Sequence, residues 1–231
     1  MSAGFQTGLQ QRLPGFLRRY VLHFEASIER DLRAFAVSLG AADRVLDAGA
    51  GEGRFGEFFR GQRYVSLDLG IGDEGWNYRG LDVIGDLHEL PFRTSAFDAC
   101  INIVTLEHVP EPRVVLTELC RTLRAGGRIF LAVPHQWEEH QQPHDFYRYT
   151  RYGLEYLLGK AGFTDVHIEP VGGFFRMLSR RLLNSLQFFP GVLWIPAAVF
   201  FAPPALALPL LDGLDRHRNF TLGYICTARK P

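Results

Sequence analysis

Between Leu9 and Leu39 the apolar residues fall at Leu13, Phe16, Leu17, Tyr20, Val21, Phe24, Ile28, Leu32, Phe35 and Leu39. Steps of three and four place them on one helical face, so this stretch predicts one or two amphipathic helices that stop at Gly40. From Asp43 onward the pattern changes to short apolar runs. Residues 43–48, "RYVSLDL" (63–69), "LDVIGD" (81–86), "FDACINIVTL" (97–106), "RIFLAVP" (128–134) and "TDVHIEPV" (164–171) predict six strands. Helical spacing lies between them. It covers 55–60, 112–123 with Val115, Leu116, Leu119 and Leu123 as its stripe, and "TRYGLEYLLGKAGF" (150–163), where Thr150 is the expected N-cap. Ala125, Gly126 and Gly127 are expected to cap the second of these helices.

Strands alternating with helices predict an α/β fold with a parallel sheet covered on both faces. After Gly173 the alternation stops. An aromatic and aliphatic segment fills about 174–214 before "NFTLGYICTARK" (219–230) supplies a last strand. Leu182 to Leu211 contains no charged residue, yet Pro190, Pro196, Pro203, Pro204 and Pro209 interrupt it, so short helices or a re-entrant hairpin are expected rather than one straight spanning helix. The chain is therefore read as a helical extension over 1–42 and one domain over 43–231 carrying an apolar insertion.

Charge and cysteine usage narrow the functional classes. Lys and Arg number 25, as do Asp and Glu, so there is no basic excess for a large nucleic-acid surface, and no nucleic-acid partner is expected. Cys100, Cys120 and Cys226 are scattered without metal-ligand spacing, which fits reduced, buried thiols. No basic, apolar and small-residue series of a signal peptide opens the chain, so a cytoplasmic location is expected.

The chemistry centres on "VLDAGAGEGRFG" (45–56), which can be read in two ways. Gly51, Gly53 and Gly56 spell G-x-G-x-x-G, the spacing of dinucleotide-binding turns; Asp47, Gly49, Gly51 and Gly53 spell D-x-G-x-G-x-G. Both ligands would sit beyond the carboxyl ends of the strands. Charge separates them. Asp47 and Glu52 oppose a pyrophosphate and favour the sulfonium and ammonium of S-adenosylmethionine. Gly49 also follows the first strand closely, where a tight turn belongs, and Asp68 ends the second strand about 20 positions later, placed to accept ribose hydroxyls.

This ordered series resembles the class I S-adenosylmethionine-dependent methyltransferases, in the branch acting on small molecules, over roughly 43–170. The resemblance implies a Rossmann-like, seven-stranded, mostly parallel sheet with an antiparallel last strand, and S-adenosyl-L-methionine as cofactor. It implies that Gly49, Gly51 and Gly53 line the methionine part, Asp47 orients its amino group, and Asp68 with Leu69 holds the ribose. "GDLHELPF" (85–92) then implicates Asp86 and Leu87 near the adenine, and "FDACINIVTLEHV" (97–109) puts Ile103 near the cofactor. The insertion departs from the plain pattern.

Methyl transfer is an in-line displacement at an activated sulfonium, so alignment and water exclusion come first, and no metal is expected. An oxygen or carbon acceptor also calls for a base. His108 after the fourth strand and His135 after the fifth are candidates, with Tyr147 beside His144 in "PHDFYRYT" (143–150). "NIVT" (102–105) stands where amide and base N-methyltransferases carry an N-P-P-Y type of motif, which argues against nucleic-acid bases as acceptors. The insertion fits a folded cap, a subunit interface or shallow membrane attachment through Phe188, Phe189, Trp194, Phe200 and Phe201, flanked by Arg176, Arg180, Arg181, Arg216 and Arg218. The expected function is methylation of a small-molecule or lipid-linked acceptor, with peripheral membrane contact through 182–211. A non-catalytic cofactor-binding scaffold and a nicotinamide-dependent oxidoreductase stand as alternatives.

Overall fold

The computed structural model describes residues 15–72 and 75–231; Leu13 and the side chain of Phe16 in the first predicted stripe lie outside the description. The chain forms two compact units. One comprises 15–29 with Pro170–Gly223, and the other Arg30–Glu169 with Tyr224–Pro231. This partition crosses the first long helix near residue 30, whereas the sequence places a boundary after 42.

The larger unit is built on a seven-stranded sheet. In chain order its strands are β1 (Arg44–Ala48), β2 (Arg63–Asp68), β3 (Val83–Ile84), β4 (Phe97–Ile103), β5 (Leu123–Pro134), β6 (Thr164–Val171) and β7 (Gly223–Arg229), arranged β3-β2-β1-β4-β5-β7-β6. β1 pairs in parallel with β2 and β4, β2 with β3, and β4 with β5. β7 runs against its neighbours: Gly126 and Lys230 are cross-bonded near the start of β5, and Thr164 reaches Arg229 at the opposite end of β7 from Gly223. Strand order reverses between β1 and β4, which opens a crevice at the carboxyl ends of the central strands.

Burial follows the predicted faces. The helix α1 (Gly15–Val21) leads into α2 (His23–Val37), whose Phe24, Ile28, Leu32 and Phe35 are buried. In the larger unit, Phe35 packs on Phe130 of β5 with ring centroids 5.6 Å apart. α3 (Pro112–Thr122) lays Val115, Leu116 and Leu119 into the core with β4 and β5, and α4 (Arg151–Lys160) adds Leu154 and Leu158. Thr150 caps α4 as expected, its Oγ1 accepting from Gly153 N–H at 3.1 Å.

Four local expectations are corrected. The helix over 55–60 is a single 3-10 stretch, Arg54–Phe59, that buries Phe55 and Phe59. The strand over 81–86 shrinks to Val83–Ile84, because the Asp82 carboxylate takes the Ser66 N–H and hydroxyl, replacing a ladder bond by a side-chain bond. β4 stops at Ile103 because Val104 turns to φ +51°. Ala125, Gly126 and Gly127 do not cap α3. They form an irregularity within β5, where the step from Phe97 to Ala99 of β4 faces the longer span from Leu123 to Arg128.

The smaller unit contains α1, the start of α2, α5 (Phe174–Asn184), α6 (Trp194–Ala207) and 3-10 turns over Ser185–Phe188, Gly191–Leu193 and Leu208–Leu214. Asp212 Oδ1 accepts the N–H groups of Gly173 and Arg176 at 3.1 Å, fixing the start of α5. Ser179 donates to the Ala205 carbonyl and Tyr20 to that of Leu206, which ties α6 to α5 and α1. The buried Arg180 guanidinium meets both oxygens of Glu25 at 3.0 and 3.1 Å.

Truncating Leu116, which is wholly buried, to alanine is expected to cost about 2–5 kcal/mol through lost transfer energy and a residual cavity. Urea unfolding of the L116A chain checks this.

Candidate active site

β1 ends at Asp47 and Ala48, and the chain turns at once. Gly49 and Gly51 adopt φ of +87° and +57°, the left-handed region that glycine enters without strain. Space matters as much as conformation. A Cβ on Gly49 would stand 2.2 Å from Thr105 Cγ2, and one on Gly51 would stand 3.0 Å from the Trp76 ring. Thr105 Oγ1 donates to the Gly49 carbonyl at 3.1 Å, and Gly49 and Ala50 N–H both donate to the Leu67 carbonyl. Gly53 caps the following 3-10 stretch. Gly56, the third glycine of the dinucleotide spelling, lies inside that stretch and would press a Cβ to 3.1 Å from the Tyr64 ring, so it serves packing.

Asp47 is fully buried under this turn. Tyr64 donates to its Oδ2 at 2.5 Å, while Oδ1 has no hydrogen-bond partner. Burial pushes its pKa up to about 7; the Tyr64 hydrogen bond opposes this, the Asp68 carboxylate adds to it and Arg54 lowers it. Asp68 clamps the turn: Oδ2 accepts from Gly51 N–H and Oδ1 from Gly70 N–H, both at 2.8 Å. Leu69 beside it is exposed. Glu52 accepts from Asn77 N–H at 2.9 Å, so the loop bearing Trp76 is held over the turn.

Farther along this rim, Asp86 Oδ1 accepts from His88 N–H at 2.8 Å, which holds its carboxyl below the usual range. Leu87 and Ile103 are buried, and Asn102 donates to the Ala48 carbonyl at 2.6 Å. Just past Ile103, Val104 holds its left-handed φ while its N–H donates to the Ala132 carbonyl, a conformation that costs a β-branched residue of the order of 1–3 kcal/mol.

A second polar cluster follows at the exits of β4 and β5. Glu107 is wholly buried, and neither carboxylate oxygen has a hydrogen-bond partner. Burial pushes its pKa up to about 8, with Arg148 partly offsetting it. His108 Nδ1 lies 2.6 Å from the His144 carbonyl, its buried Nε2 is unpartnered, and burial lowers its pKa. The His140 ring meets that of His108 edge-on at 4.7 Å between centroids. Asp145 accepts from Arg148 through both oxygens at 2.7 Å and from His140 N–H at 2.9 Å. Phe146 and Tyr147 N–H donate to the Glu107 main-chain carbonyl, which folds the 140–149 loop against the β4 exit.

Of the residues expected to hold a nucleotide, Gly51 and Asp68 are bonded directly, while Asp47 and Gly49 stand at the end of β1 and the start of the same turn. Among the acceptor-side candidates, His108 and Tyr147 share the Glu107 loop, with the Tyr147 hydroxyl donating to the Pro110 carbonyl at 2.8 Å. His135 stands at the end of β5, its Nδ1 2.7 Å from the Tyr149 carbonyl and its ring against Tyr224. Sequence reasoning missed Trp76, Glu107, His140 and Asp145. The "EH" pair and "PHDFYRYT" were visible, but nothing in their spacing shows that a buried acid and two imidazoles meet.

Residues 46–131 match the sequence family described as "Methyltransferase domain". A fatty-acid O-methyltransferase of Mycolicibacterium smegmatis is 36% identical over 96 residues, covering 36% of this chain and 34% of that protein. The chain spans less than half the length of the first curated relatives it matches. A solved S-adenosylmethionine-dependent methyltransferase of Thermotoga maritima superposes with a TM-score of 0.57 at 17% identity, covering 96% of this chain and 97% of that one. A Haemonchus contortus phosphoethanolamine N-methyltransferase in complex with S-adenosyl-L-methionine superposes with a TM-score of 0.57 at 16% identity over 87% of this chain and 52% of that one. Over residues 46–131 the chain is similar to methyltransferase domains, and these solved structures share its fold.

Asp47 makes stability depend on pH. The unfolded chain releases its proton near 3.8 and the folded protein near 7, so the folded state holds more protons between these values. Its contribution therefore falls as pH rises through roughly pH 4–7 and is level above. Thermal unfolding across this range should show a steeper slope in the native chain than in Asp47→Asn, where Glu107, raised to about 8, still contributes a slope of the same sign.

Proposed function

We propose that this protein transfers a methyl group from S-adenosyl-L-methionine to a small-molecule or lipid-linked acceptor. The observation that carries the reading is Asp47: a fully buried carboxyl with one unpartnered oxygen, at the end of the central strand and beneath a glycine turn. A cationic ammonium suits that oxygen, whereas a pyrophosphate does not. The donor set therefore fits the cofactor. In this reading Asp47, Gly49, Gly51 and Gly53 take the methionine part, Asp68 and Leu69 the ribose, Asp86 and Leu87 the adenine side, and Ile103 packs against it. When bound, the cofactor supplies an activated methyl on sulfur.

The protein's own work is alignment and desolvation. Asp68 orders the turn through Gly51 N–H, and Thr105 seats Gly49, so the carboxyl ends of β1, β2 and β4 are mutually fixed. Acceptor binding is assigned to the exits of β4 and β5, where His108, His135 and Tyr147 stand. His108 carries the unpartnered ring nitrogen there. It is the group of the three poised to meet an acceptor's proton or oxygen.

The lipid-linked part of the reading rests on the smaller unit. Gly191–Leu214 is a continuous helical run long and apolar enough to cross a membrane by length and composition, and only 11% of its most apolar window is buried. Phe188, Val192, Ile195, Val199, Phe200 and Leu210 are each more than 60% exposed. Pro203 and Pro204 lie inside α6 and cannot donate to the carbonyls one turn back, which disfavours a spanning helix and suits a segment lying in the membrane interface. Such contact would bring the protein to acceptors held in lipid.

Calorimetric titration of the full chain with S-adenosylmethionine and S-adenosylhomocysteine tests the first reading. Saturable binding of both is expected, with Asp68→Ala weakening it by about tenfold or more; absence of binding to folded protein overturns it. Flotation with liposomes tests the second. The native chain should rise with vesicles, and exchange of Val192, Val199 and Phe200 for Asp, all exposed side chains, should keep it in the dense fraction.

A further inference from the structure

We propose that Glu107, His108 and His140 form a binding site for one divalent transition-metal ion, of the zinc, cobalt or manganese type. The three side chains each offer a ligand atom, and these atoms lie within 4.8 Å of one another. Glu107 Oε1 and His108 Nε2 are 3.7 Å apart. A tetrahedral ion with bonds of about 2.0–2.1 Å spaces its ligands roughly 3.4 Å apart, so small side-chain rotations close the set.

The hydrogen bonds around the cluster fix which nitrogens are available. A carbonyl can only accept, so His108 Nδ1, at 2.6 Å from the His144 carbonyl, carries the proton and leaves a lone pair on Nε2. His140 Nδ1 lies 3.1 Å from the Glu138 carbonyl, with Asp145 Oδ2 and the Arg148 guanidinium each at 3.5 Å; the shorter contact is to a carbonyl, which only accepts, so Nδ1 carries the proton and Nε2 is the donor atom. Metal-bound imidazoles are held in this way, with the second nitrogen donating to a carbonyl or carboxylate. His108 Nε2 and both Glu107 oxygens have no hydrogen-bond partner although all three are buried. A cation would satisfy what nothing in the chain satisfies.

The surrounding charges allow it. Arg148 is the nearest cationic side chain, but its guanidinium is engaged by Asp145 through two hydrogen bonds and by the carbonyls of Trp137, Glu138 and Tyr147. Two neutral imidazoles and one carboxylate select ions of intermediate softness over calcium or magnesium. Three protein ligands also leave at least one coordination position open. With the ion bound, His108 Nε2 is a ligand and an acceptor meets the ion's open position instead of that nitrogen; the test reads metal binding alone, so the inference stands with or without the methyl-transfer reading.

The experiment uses the full chain stripped with chelator and dialysed. Titration with Co2+ followed by visible absorption, and with Zn2+ by calorimetry, should show one equivalent bound per chain. Glu107→Gln and His140→Ala should each weaken binding tenfold or more, and circular dichroism confirms that each is folded. His167→Ala, which removes an exposed histidine beside Glu169, should leave it unchanged. If Glu107→Gln does not fold, His140→Ala, at the more exposed ligand, decides alone. No saturable Co2+ spectrum, or an affinity untouched by His140→Ala, overturns the proposal. S-adenosylmethionine binding, measured separately, shows whether the cofactor reading fails with it.

Discussion

The buried carboxyl of Asp47 is the constraint around which the larger unit is arranged. A carboxyl placed at the end of a strand with no solvent face costs several kcal/mol unless something compensates it. One oxygen is met by the Tyr64 hydroxyl, and Tyr64 is itself set by stacking on Phe59 and by the absence of a side chain at Gly56. The other oxygen has no hydrogen-bond partner. The glycine turn, the second strand and the first 3-10 stretch are therefore not separate features. Each holds in place a part of the shell around a single carboxyl.

The crevice rim is assembled by the same logic of paired backbone groups. Asp68 accepts from the turn and from its own following loop, and Asn102 and Thr105 of the neighbouring strand exit hold the carbonyls of Ala48 and Gly49. Side chains from two strands thus fix the main chain of a third. Val104, strained at φ +51°, lets β4 end where Thr105 can reach the turn and Glu107 can enter the interior. Strain at this one residue lies between the glycine turn and the Glu107 loop, and an alternative backbone there would separate Thr105 from Gly49.

The smaller unit follows a different rule. Its polar bonds concentrate on α1, α2, α5, the last turn of α6 and the segment after it: Glu25 with Arg180, Tyr20 with Leu206, Ser179 with Ala205, Asp212 with the start of α5. The aromatic and aliphatic residues of 188–214 are instead largely exposed. Segregation of this kind leaves an apolar surface that water does not stabilise, and it is the physical ground for assigning the surface to a lipid interface.

The order of strands, the helical stripes, the Thr150 cap, the glycine turn and the acids at 47 and 68 were all readable from periodicity and turn chemistry, because these are local: each depends on residues within a few positions. The amount of helix after the glycines, the length of β3 and the role of Ala125 to Gly127 were not, since side chains such as Asp82 compete with backbone ladders and the chain leaving β7 pairs with the irregular start of β5. The Glu107, His108 and His140 cluster was hidden for a stronger reason. Glu107 and His108 are consecutive, but His140 joins them through a loop whose Phe146 and Tyr147 N–H groups donate to the Glu107 carbonyl, and such a long-range bond has no period in sequence. By itself the sequence determined which residues turn, which are buried and which acids flank the glycine turn. Tertiary structure alone decided which buried polar atoms are left without a partner, because that depends on every chain segment that reaches them.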